Sequence, residues 1–256
     1  MNHPATPVEN ERVEGARPAA EGSESEAAEH VRELFSSIAP TYDRLNHLLS
    51  FGLDRRWWRR TAETFHEILA RPDARVLDIC CGTGDLTGAL LADRPANAAP
   101  VTGLDFSGEM LRLAERKYTG ANVNWIEGDA MALPFPDNSL DLVTSAFGFR
   151  NLRNYAAGLK EIHRVLRPGG SIGILECNQP DGLNGAAYNL YFHRVLPVVG
   201  GWVSGVRAAY EYLPASVQRF PRPPRMLALM QEASFENCAW DGYLLRAAGL
   251  YRGTKA

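Results

Sequence analysis

Three aspartates in the first half of this 256-residue chain lie at the ends of short apolar segments: Asp78, Asp105 and Asp129. The carboxyl ends of parallel strands meet at one edge of a sheet, so we expect these side chains to line one crevice. Carboxylates attract cations and accept hydrogen bonds from hydroxyl and amino groups. The pattern predicts a site for a nucleoside that carries positive charge.

A glycine turn follows the first of these aspartates, in the segment VLDICCGTGD at Val76 to Asp85. Gly82 and Gly84 allow the backbone to approach a ligand closely. A dinucleotide fingerprint, G-x-G-x-x-G, does not fit, because the third glycine is Gly88, one residue too far along. Asp85 would also repel a phosphate at the start of the following helix. S-adenosylmethionine, with its ammonium and sulfonium groups, fits better, although such a turn can also serve only to connect a strand to a helix.

The other two aspartates have distinct expected partners. Asp105 follows the glycine turn by about 20 residues, the spacing at which an acid binds a ribose diol in folds of this type. Asp129 is expected to accept a hydrogen bond from the adenine amino group. The neighbouring Phe106 is also a predicted cofactor contact.

Two further residues are candidates for the reaction itself. Arg150 follows a segment predicted to be a core strand, Leu140 to Ala146, and a cation there is costly without an anionic partner. Tyr42 lies with Asp43 and Asn46 on one predicted helical turn, where such polar groups indicate ligand binding. The four cysteines show no metal-ligand spacing, so no metal site is expected.

The elements that must position these residues alternate between strands and helices. This alternation predicts an α/β fold with a mostly parallel seven-stranded sheet and helices on both faces. We expect a disordered tail over 1–26, because it is rich in small and polar residues, and a single domain over 27–256. Within that domain, helices over 27–72 form a predicted lid, although for most of their residues packing on the sheet is the alternative. The apolar insert 181–220 is predicted to cover a greasy substrate or rest on a bilayer, again with ordinary packing onto the sheet as the alternative.

The composition of the chain limits the kinds of partner that it is expected to bind. The chain has 27 lysines and arginines against 30 acidic residues, a net charge of −3, which argues against nucleic-acid binding. The four cysteines include no CxxC motif and look like packing residues, which is typical of a protein from a reducing compartment. No signal peptide and no apolar stretch of membrane-spanning length is evident. We therefore expect a cytoplasmic protein, with a peripheral membrane contact and a homodimer both compatible with the sequence.

Residues from about 30 to 255 resemble the ubiquinone and menaquinone biosynthesis C-methyltransferases. The resemblance rests on three segments in particular: FxxIAxxYDxLNxLLSFG at Phe35 to Gly52, the glycine motif, and FGFRN at Phe147 to Asn151. It implies a class I S-adenosylmethionine-dependent methyltransferase fold, which is Rossmann-like. The family's cofactor positions map to Thr83, Asp105, Asp129 and Ala130. One departure from the family pattern is the segment Tyr243 to Arg246, where a leucine-threonine-glycine type turn is common.

The implied activity is methyl transfer to a ring carbon of a polyprenylated quinol, with demethylmenaquinol as the expected acceptor. Arg150 would stabilise the developing quinolate, and Tyr42 would order the cofactor or the quinol beneath the lid. A benzoquinol of ubiquinone synthesis or another lipid or phenolic acceptor is the enzymatic alternative. A non-catalytic S-adenosylmethionine-binding subunit is the alternative from another class.

Overall fold

A seven-stranded sheet forms the centre of the part of the chain that the structure describes. The structure is a computed structural model that describes residues 14–16, 52–180 and 207–256. The strands are β1 Val76–Ile79, β2 Val101–Asp105, β3 Val123–Glu127, β4 Leu140–Ala146, β5 Leu166–Cys177, β6 Phe235–Tyr243 and β7 Ala248–Lys255. Their order is β3-β2-β1-β4-β5-β7-β6, and β7 runs antiparallel to both of its neighbours. The prediction of a mostly parallel seven-stranded sheet is confirmed.

Helices flank this sheet, and local signals set several of their starts. The described α-helices are α1 Asp54–Thr64, α2 His66–Leu69, α3 Asp85–Ala92, α4 Gly108–Lys117, α5 Tyr155–Val165, α6 Arg207–Arg219 and α7 Pro223–Glu232. The Ser107 hydroxyl accepts a hydrogen bond from the Met110 N–H at 3.4 Å and caps α4. The Asn154 side chain caps α5 in the same way, by accepting from the Ala157 N–H at 2.9 Å.

Two apolar clusters hold helices to opposite faces of the sheet. Successive side chains of a strand point to opposite faces, and β1 shows this clearly. Leu77 and Ile79 belong to the cluster formed with α5 and α7, whereas Val76 belongs to the cluster formed with α1 and α3. The predicted placement of helices on both faces is therefore confirmed, and the strand ends between the two layers remain available for a site.

Strand β5 begins earlier than the sequence predicts. The pattern predicts a strand over 171–175 after a turn at Arg167-Pro168-Gly169-Gly170, but Leu166 already pairs with Leu140. The next pair is Leu142 with Ser171, so the β5 side carries surplus residues that bulge out of the ladder. Gly169 has a φ of 77°, which lets the chain make this bulge. Proline and glycine here interrupt the strand without marking its start.

The predicted lid falls only partly within the described residues. Residues 27–51, including Tyr42, lie outside them. The described remainder, α1 and α2, packs on the sheet: Trp58 and Phe65 are buried in a core cluster, and the Phe65 ring lies against Gly173 of β5. For this segment the structure shows packing on the sheet, and the lid stays a prediction for the rest.

The predicted tail and insert are also described only in part. Residues 1–13, 17–26 and 181–206 lie outside the described residues. Within the predicted tail, Glu14 and Ala16 are in contact with the domain: the Ala16 N–H donates to the Leu152 carbonyl at 2.8 Å, and Glu14 pairs with Arg225 at 2.8 Å. The disordered tail over 1–26 stays a prediction. Across 14–16, 52–180 and 207–256, no helix is both long and apolar enough to cross a membrane.

Candidate active site

Asp78 lies in the middle of the sheet with no exposed surface. One carboxylate oxygen accepts a hydrogen bond from the Thr87 hydroxyl at 2.7 Å, and the other accepts from the Thr144 hydroxyl at 3.0 Å. Burial raises the pKa of Asp78 from 3.8 to about 7, against the opposing effect of these hydroxyls. The carboxylate therefore ties β1 to α3 and β4 directly beneath the glycine turn.

Asp105 ends β2 and faces that turn. Its carboxylate accepts from the Gly82 N–H at 2.8 Å and from the Ser107 N–H at 2.9 Å. Burial raises the pKa of Asp105 to about 6, although the backbone hydrogen bonds oppose this effect. Phe106 donates a further backbone hydrogen bond to this carboxylate, which has about four acceptor sites in all. Asp105 thus holds the turn in place and retains acceptor capacity for a ligand.

The glycine turn itself has an unusual backbone. Cys80, Gly82 and Gly84 have φ values of 51°, 55° and 84°, a region that side chains disfavour. A Cβ added at Gly82 would meet nothing within 4 Å, whereas one added at Gly84 would lie 2.6 Å from the Trp125 ring. Gly82 therefore faces open space where a ligand can approach the backbone, and Gly84 is required by packing.

The predicted adenine edge lies after β3. Asp129 is half-exposed; it accepts from the Met131 N–H at 2.8 Å and pairs with Arg153 at 2.9 Å. Ala130 is buried beside it. The structure thus brings Asp129 to the same sheet edge as Asp105, because β2 and β3 pair in parallel. Sequence reasoning missed Arg153, whose only signal was its place shortly after the FGFRN segment.

The remaining predicted cofactor residues lie near the turn. Thr83 is buried within it, and Phe106, which directly follows Asp105, is half-buried. Asp85 begins α3 and pairs with Lys117 at 2.5 Å. This partner reduces the repulsion of anions that the sequence alone assigns to Asp85.

Arg150 is 4% exposed, and its anionic partner belongs to the protein. Its guanidinium donates to the Glu176 carboxylate at 2.9 Å and to the Phe147 carbonyl. The backbone N–H of Arg150 also donates to the Glu176 carboxylate, at 3.0 Å. Glu176, at the end of β5, has no exposed surface. The expectation that Arg150 needs an anionic partner is met inside the fold. Sequence reasoning gave Glu176 no specific role, since it lies 26 positions away from Arg150.

Two tyrosines extend this buried network. The Tyr155 hydroxyl donates to the Arg150 carbonyl at 2.9 Å, and the Tyr212 hydroxyl donates to the Asn151 side chain at 2.9 Å. Burial raises the pKa of Tyr212 and places that of Tyr155 well above its ordinary value. Both therefore act as neutral donors that fix the FGFRN segment beside the sheet edge.

The cysteines of the site are inert packing residues. The pKa values of Cys80 and Cys81 lie well above the ordinary thiol value. Burial is the main cause, and the negative charge of nearby carboxylates adds to it. Within the described residues, no group of three or more histidine, cysteine, aspartate or glutamate side chains could hold a metal ion.

These residues fit S-adenosylmethionine on the chemistry of their donors and acceptors. Asp105 retains acceptor capacity for a ribose hydroxyl, and the space where a Cβ of Gly82 would lie is open to a ligand. The model of the ubiE/COQ5 methyltransferase family matches residues 23–255 of the chain. The chain belongs to the ubiE/COQ5 methyltransferase family.

Relatives agree with this membership, and a solved structure shares the fold. A demethylmenaquinone methyltransferase of Thermus thermophilus is 49% identical over 205 residues, which cover 79% of this chain and 91% of that protein. One from Deinococcus radiodurans is 44% identical, over 91% of this chain and 96% of its own. The fold is similar to that of a SAM-dependent methyltransferase from Thermotoga maritima, with a TM-score of 0.59 at 20% identity over 89% of this chain and 100% of that one. This family member is a methyltransferase that uses S-adenosylmethionine in quinone biosynthesis.

Proposed function

We propose that this enzyme transfers a methyl group from S-adenosylmethionine to a ring carbon of demethylmenaquinol, a polyprenylated naphthoquinol. The observation that carries the proposal is the high identity, over most of the chain, to two proteins named demethylmenaquinone methyltransferase. A benzoquinol of ubiquinone synthesis and other phenolic lipids are the competing acceptors.

The cofactor contacts follow from the geometry of the sheet edge. We assign the ribose diol to Asp105 and the adenine edge to Asp129, Ala130 and Phe106. The backbone from Gly82 to Gly84, including Thr83, would lie along the methionine portion. Asp78 would act from beneath by holding the turn, because both of its oxygens already accept hydrogen bonds from threonines.

The chemical demand on the protein is modest. When bound, S-adenosylmethionine supplies a methyl group on a sulfonium, which is already activated toward a carbon nucleophile. Holding the acceptor carbon in line with that methyl group can contribute about 7 to 11 kcal/mol to lowering the barrier. The ring carbon becomes nucleophilic as its neighbouring hydroxyl loses a proton, so the protein must also accommodate the resulting negative charge.

Arg150 would contribute to the site through its pair with Glu176. The pair fixes the segment Phe147 to Asn151 and retains a cation beside the sheet edge. Because Glu176 offsets the charge, we assign Arg150 mainly to positioning that segment; direct stabilisation of the quinolate is the sequence-based hypothesis. Tyr42, outside the described residues, remains assigned to ordering the ligands.

Methyl transfer can be measured directly with labelled S-adenosylmethionine and a panel of reduced acceptors. Label should enter demethylmenaquinol at a ring carbon, with lower kcat/KM for a benzoquinol of equal prenyl length. A preference for the benzoquinol would reassign the substrate. Binding of the cofactor without labelling of any acceptor would instead support a non-catalytic subunit.

Arg150 variants separate positioning from charge. Arg150→Lys retains the cation but loses the forked geometry, and Arg150→Ala loses both. If the residue positions the segment, both variants should lower kcat by at least about tenfold. If only charge matters, Arg150→Lys should retain most of the activity. Normal turnover of Arg150→Ala would remove Arg150 from the mechanism.

A further inference from the structure

The turn between β6 and β7 exposes two leucines. Leu244 is 51% exposed and Leu245 is 68% exposed, and they are the exposed large apolar side chains within the described residues. They occupy the segment in which the sequence departs from the family's usual turn. Exposed neighbouring leucines have no role in a core, so their presence at a turn needs another explanation.

The backbone of this turn also disfavours leucine. The Ala247 N–H donates to the Leu244 carbonyl at 3.0 Å, and the two residues between them, Leu245 and Arg246, have φ values of 53° and 73°. Turns with positive φ at both central positions favour asparagine, aspartate and glycine. Leucine at the tip therefore costs folding free energy, which indicates a role outside folding.

Cationic side chains lie close to residues of β6 and of the turn that carries the two leucines. Helix α1 carries exposed arginines at positions i, i+1, i+4 and i+5, which share one helical face; they are Arg55, Arg56, Arg59 and Arg60. The Arg60 guanidinium lies 5.3 Å from the centre of the Tyr243 ring, directly before the turn. Arg246 lies 4.8 Å from the centre of the Trp240 ring. Of the four helical arginines, Arg59 has an acidic partner among the described residues, Glu63 at 3.5 Å.

This surface lies at the same edge of the sheet as the candidate active site. Tyr243 pairs with Ala248, which pairs with Cys177 at the carboxyl end of β5. The Asn178 N–H donates to the Ala247 carbonyl at 2.8 Å and ties the turn to that edge. Glu176, the partner of Arg150, directly precedes Cys177. The turn is therefore joined to the strand end that carries the partner of Arg150.

We propose that the tip surface, defined as Leu244, Leu245, Arg246 and the four α1 arginines, docks on a bilayer that contains anionic lipids. The arginines match the negative charge of the headgroups, and the leucines can enter the acyl boundary. A nucleic acid would use the cations but gain nothing from exposed leucines. The proposal deepens the proposed function, on which its purpose rests, because a polyprenylated acceptor resides in the bilayer.

Vesicle binding tests the surface without any catalysis. The full-length protein is sedimented with phosphatidylcholine vesicles, with or without phosphatidylglycerol, in the absence of S-adenosylmethionine and quinol. Binding should require the anionic lipid and should weaken as the salt concentration rises. Binding that is equal for both vesicle types, or absent from both, would overturn the proposal.

Variants of the tip surface distinguish a loss of membrane binding from a loss of folding stability. Leu245→Asn removes the apolar tip while suiting the backbone of the turn, so its stability should be equal or higher, and we expect about tenfold weaker partitioning. The double variant Arg55→Gln/Arg56→Gln should weaken partitioning by about tenfold or more. Arg112→Gln/Arg116→Gln, with two exposed arginines on α4, is the charge-matched control and should bind normally.

The remaining outcomes are equally decisive. Unchanged vesicle binding of Leu245→Asn, with loss of a dimer in light scattering, would make the surface an interface between two copies and overturn the proposal. Labelling of a short-chain soluble quinol separates the two hypotheses. Normal labelling without vesicle binding would reject the surface alone, whereas vesicle binding without labelling of any quinol would reject the proposed function alone.

Discussion

At the scale of single residues, the site depends on carboxylates whose burial favours their neutral form. Asp105 and Asp78 have pKa values of about 6 and about 7 in the folded protein, both raised chiefly by burial. Their ordinary value of 3.8 belongs to the solvated side chain. A cationic ligand nearby favours the ionised form, so ligand binding and deprotonation are linked.

The affinity for S-adenosylmethionine should therefore rise with pH. Below about pH 6, Asp105 is protonated and binding must release that proton; above about pH 7, both carboxyls are already ionised. We expect the Kd to fall about tenfold between pH 5.5 and pH 7.5 and then to level off. Calorimetry in two buffers of different ionisation enthalpy would measure the protons released. In Asp105→Asn, binding should be weaker and its pH dependence flatter; a pH-independent Kd in the native protein would contradict the linkage.

The pair of Arg150 and Glu176 is the second residue-scale feature with a measurable consequence. Glu176→Gln leaves a buried guanidinium without its counter-charge, which typically costs about 3 to 5 kcal/mol of unfolding free energy. Urea denaturation would report the loss. Glu232→Gln serves as the matched control, since Glu232 pairs with Arg225 at 2.7 Å on the surface, where such pairs are worth about 0 to 1 kcal/mol. Equal losses in the two variants would mean that burial adds nothing to the Arg150 pair.

At the scale of elements, the turn between β1 and α3 combines two glycines with different roles. Both have positive φ, but an added Cβ at Gly84 collides with Trp125 and lies 3.0 Å from Tyr118, whereas Gly82 faces open space. One glycine serves packing and the other serves ligand access. The sequence motif treats them alike.

Alanine substitutions should separate these roles. Gly84→Ala should lose about 2 to 4 kcal/mol of stability, because backbone strain adds to overpacking. Gly82→Ala should lose only about 1 to 2 kcal/mol from strain but weaken S-adenosylmethionine binding by at least about tenfold, since its methyl group would occupy the ligand's approach. Thermal unfolding and calorimetry on both variants provide the comparison. A stable Gly82→Ala protein with native affinity would remove the turn from the proposed cofactor site.

At the scale of the whole molecule, the two edges of the sheet have different tasks. The carboxyl edge holds the candidate site and the tip surface. At the opposite edge, Asp141 accepts from the Arg75 N–H at 2.8 Å and pairs with Arg71 and, at 2.5 Å, with Arg167. This buried carboxylate joins the segment before β1 to the bulge of β5, far along the strands from the site.

Asp141→Asn should therefore separate stability from binding. Loss of the charge weakens both arginine contacts and should lower the unfolding free energy by about 2 to 4 kcal/mol. The Kd for S-adenosylmethionine at 15 °C should stay within about twofold of the native value, because the described partners of Asp141 are Arg71, Arg75 and Arg167, none of which belongs to the site. A large change in Kd without a change in stability would show that the two edges are coupled.

Local sequence determined the elements and the general chemistry of this protein. Apolar segments placed the central strands, and the glycine turn with its aspartates predicted the cofactor that family membership confirms. These signals act between residues close in the chain, so they survive in the sequence alone.

Only the tertiary structure decided which groups satisfy the buried charges. Thr144 binds Asp78 across 66 positions, Glu176 binds Arg150 across 26, and Gly82 binds Asp105 across 23. The early start of β5 likewise depends on Leu140, a residue of another strand. Strand pairing brings these partners together, and burial then makes each hydrogen bond necessary, because an unpaired polar group in the core is costly. No local pattern records such distant neighbours.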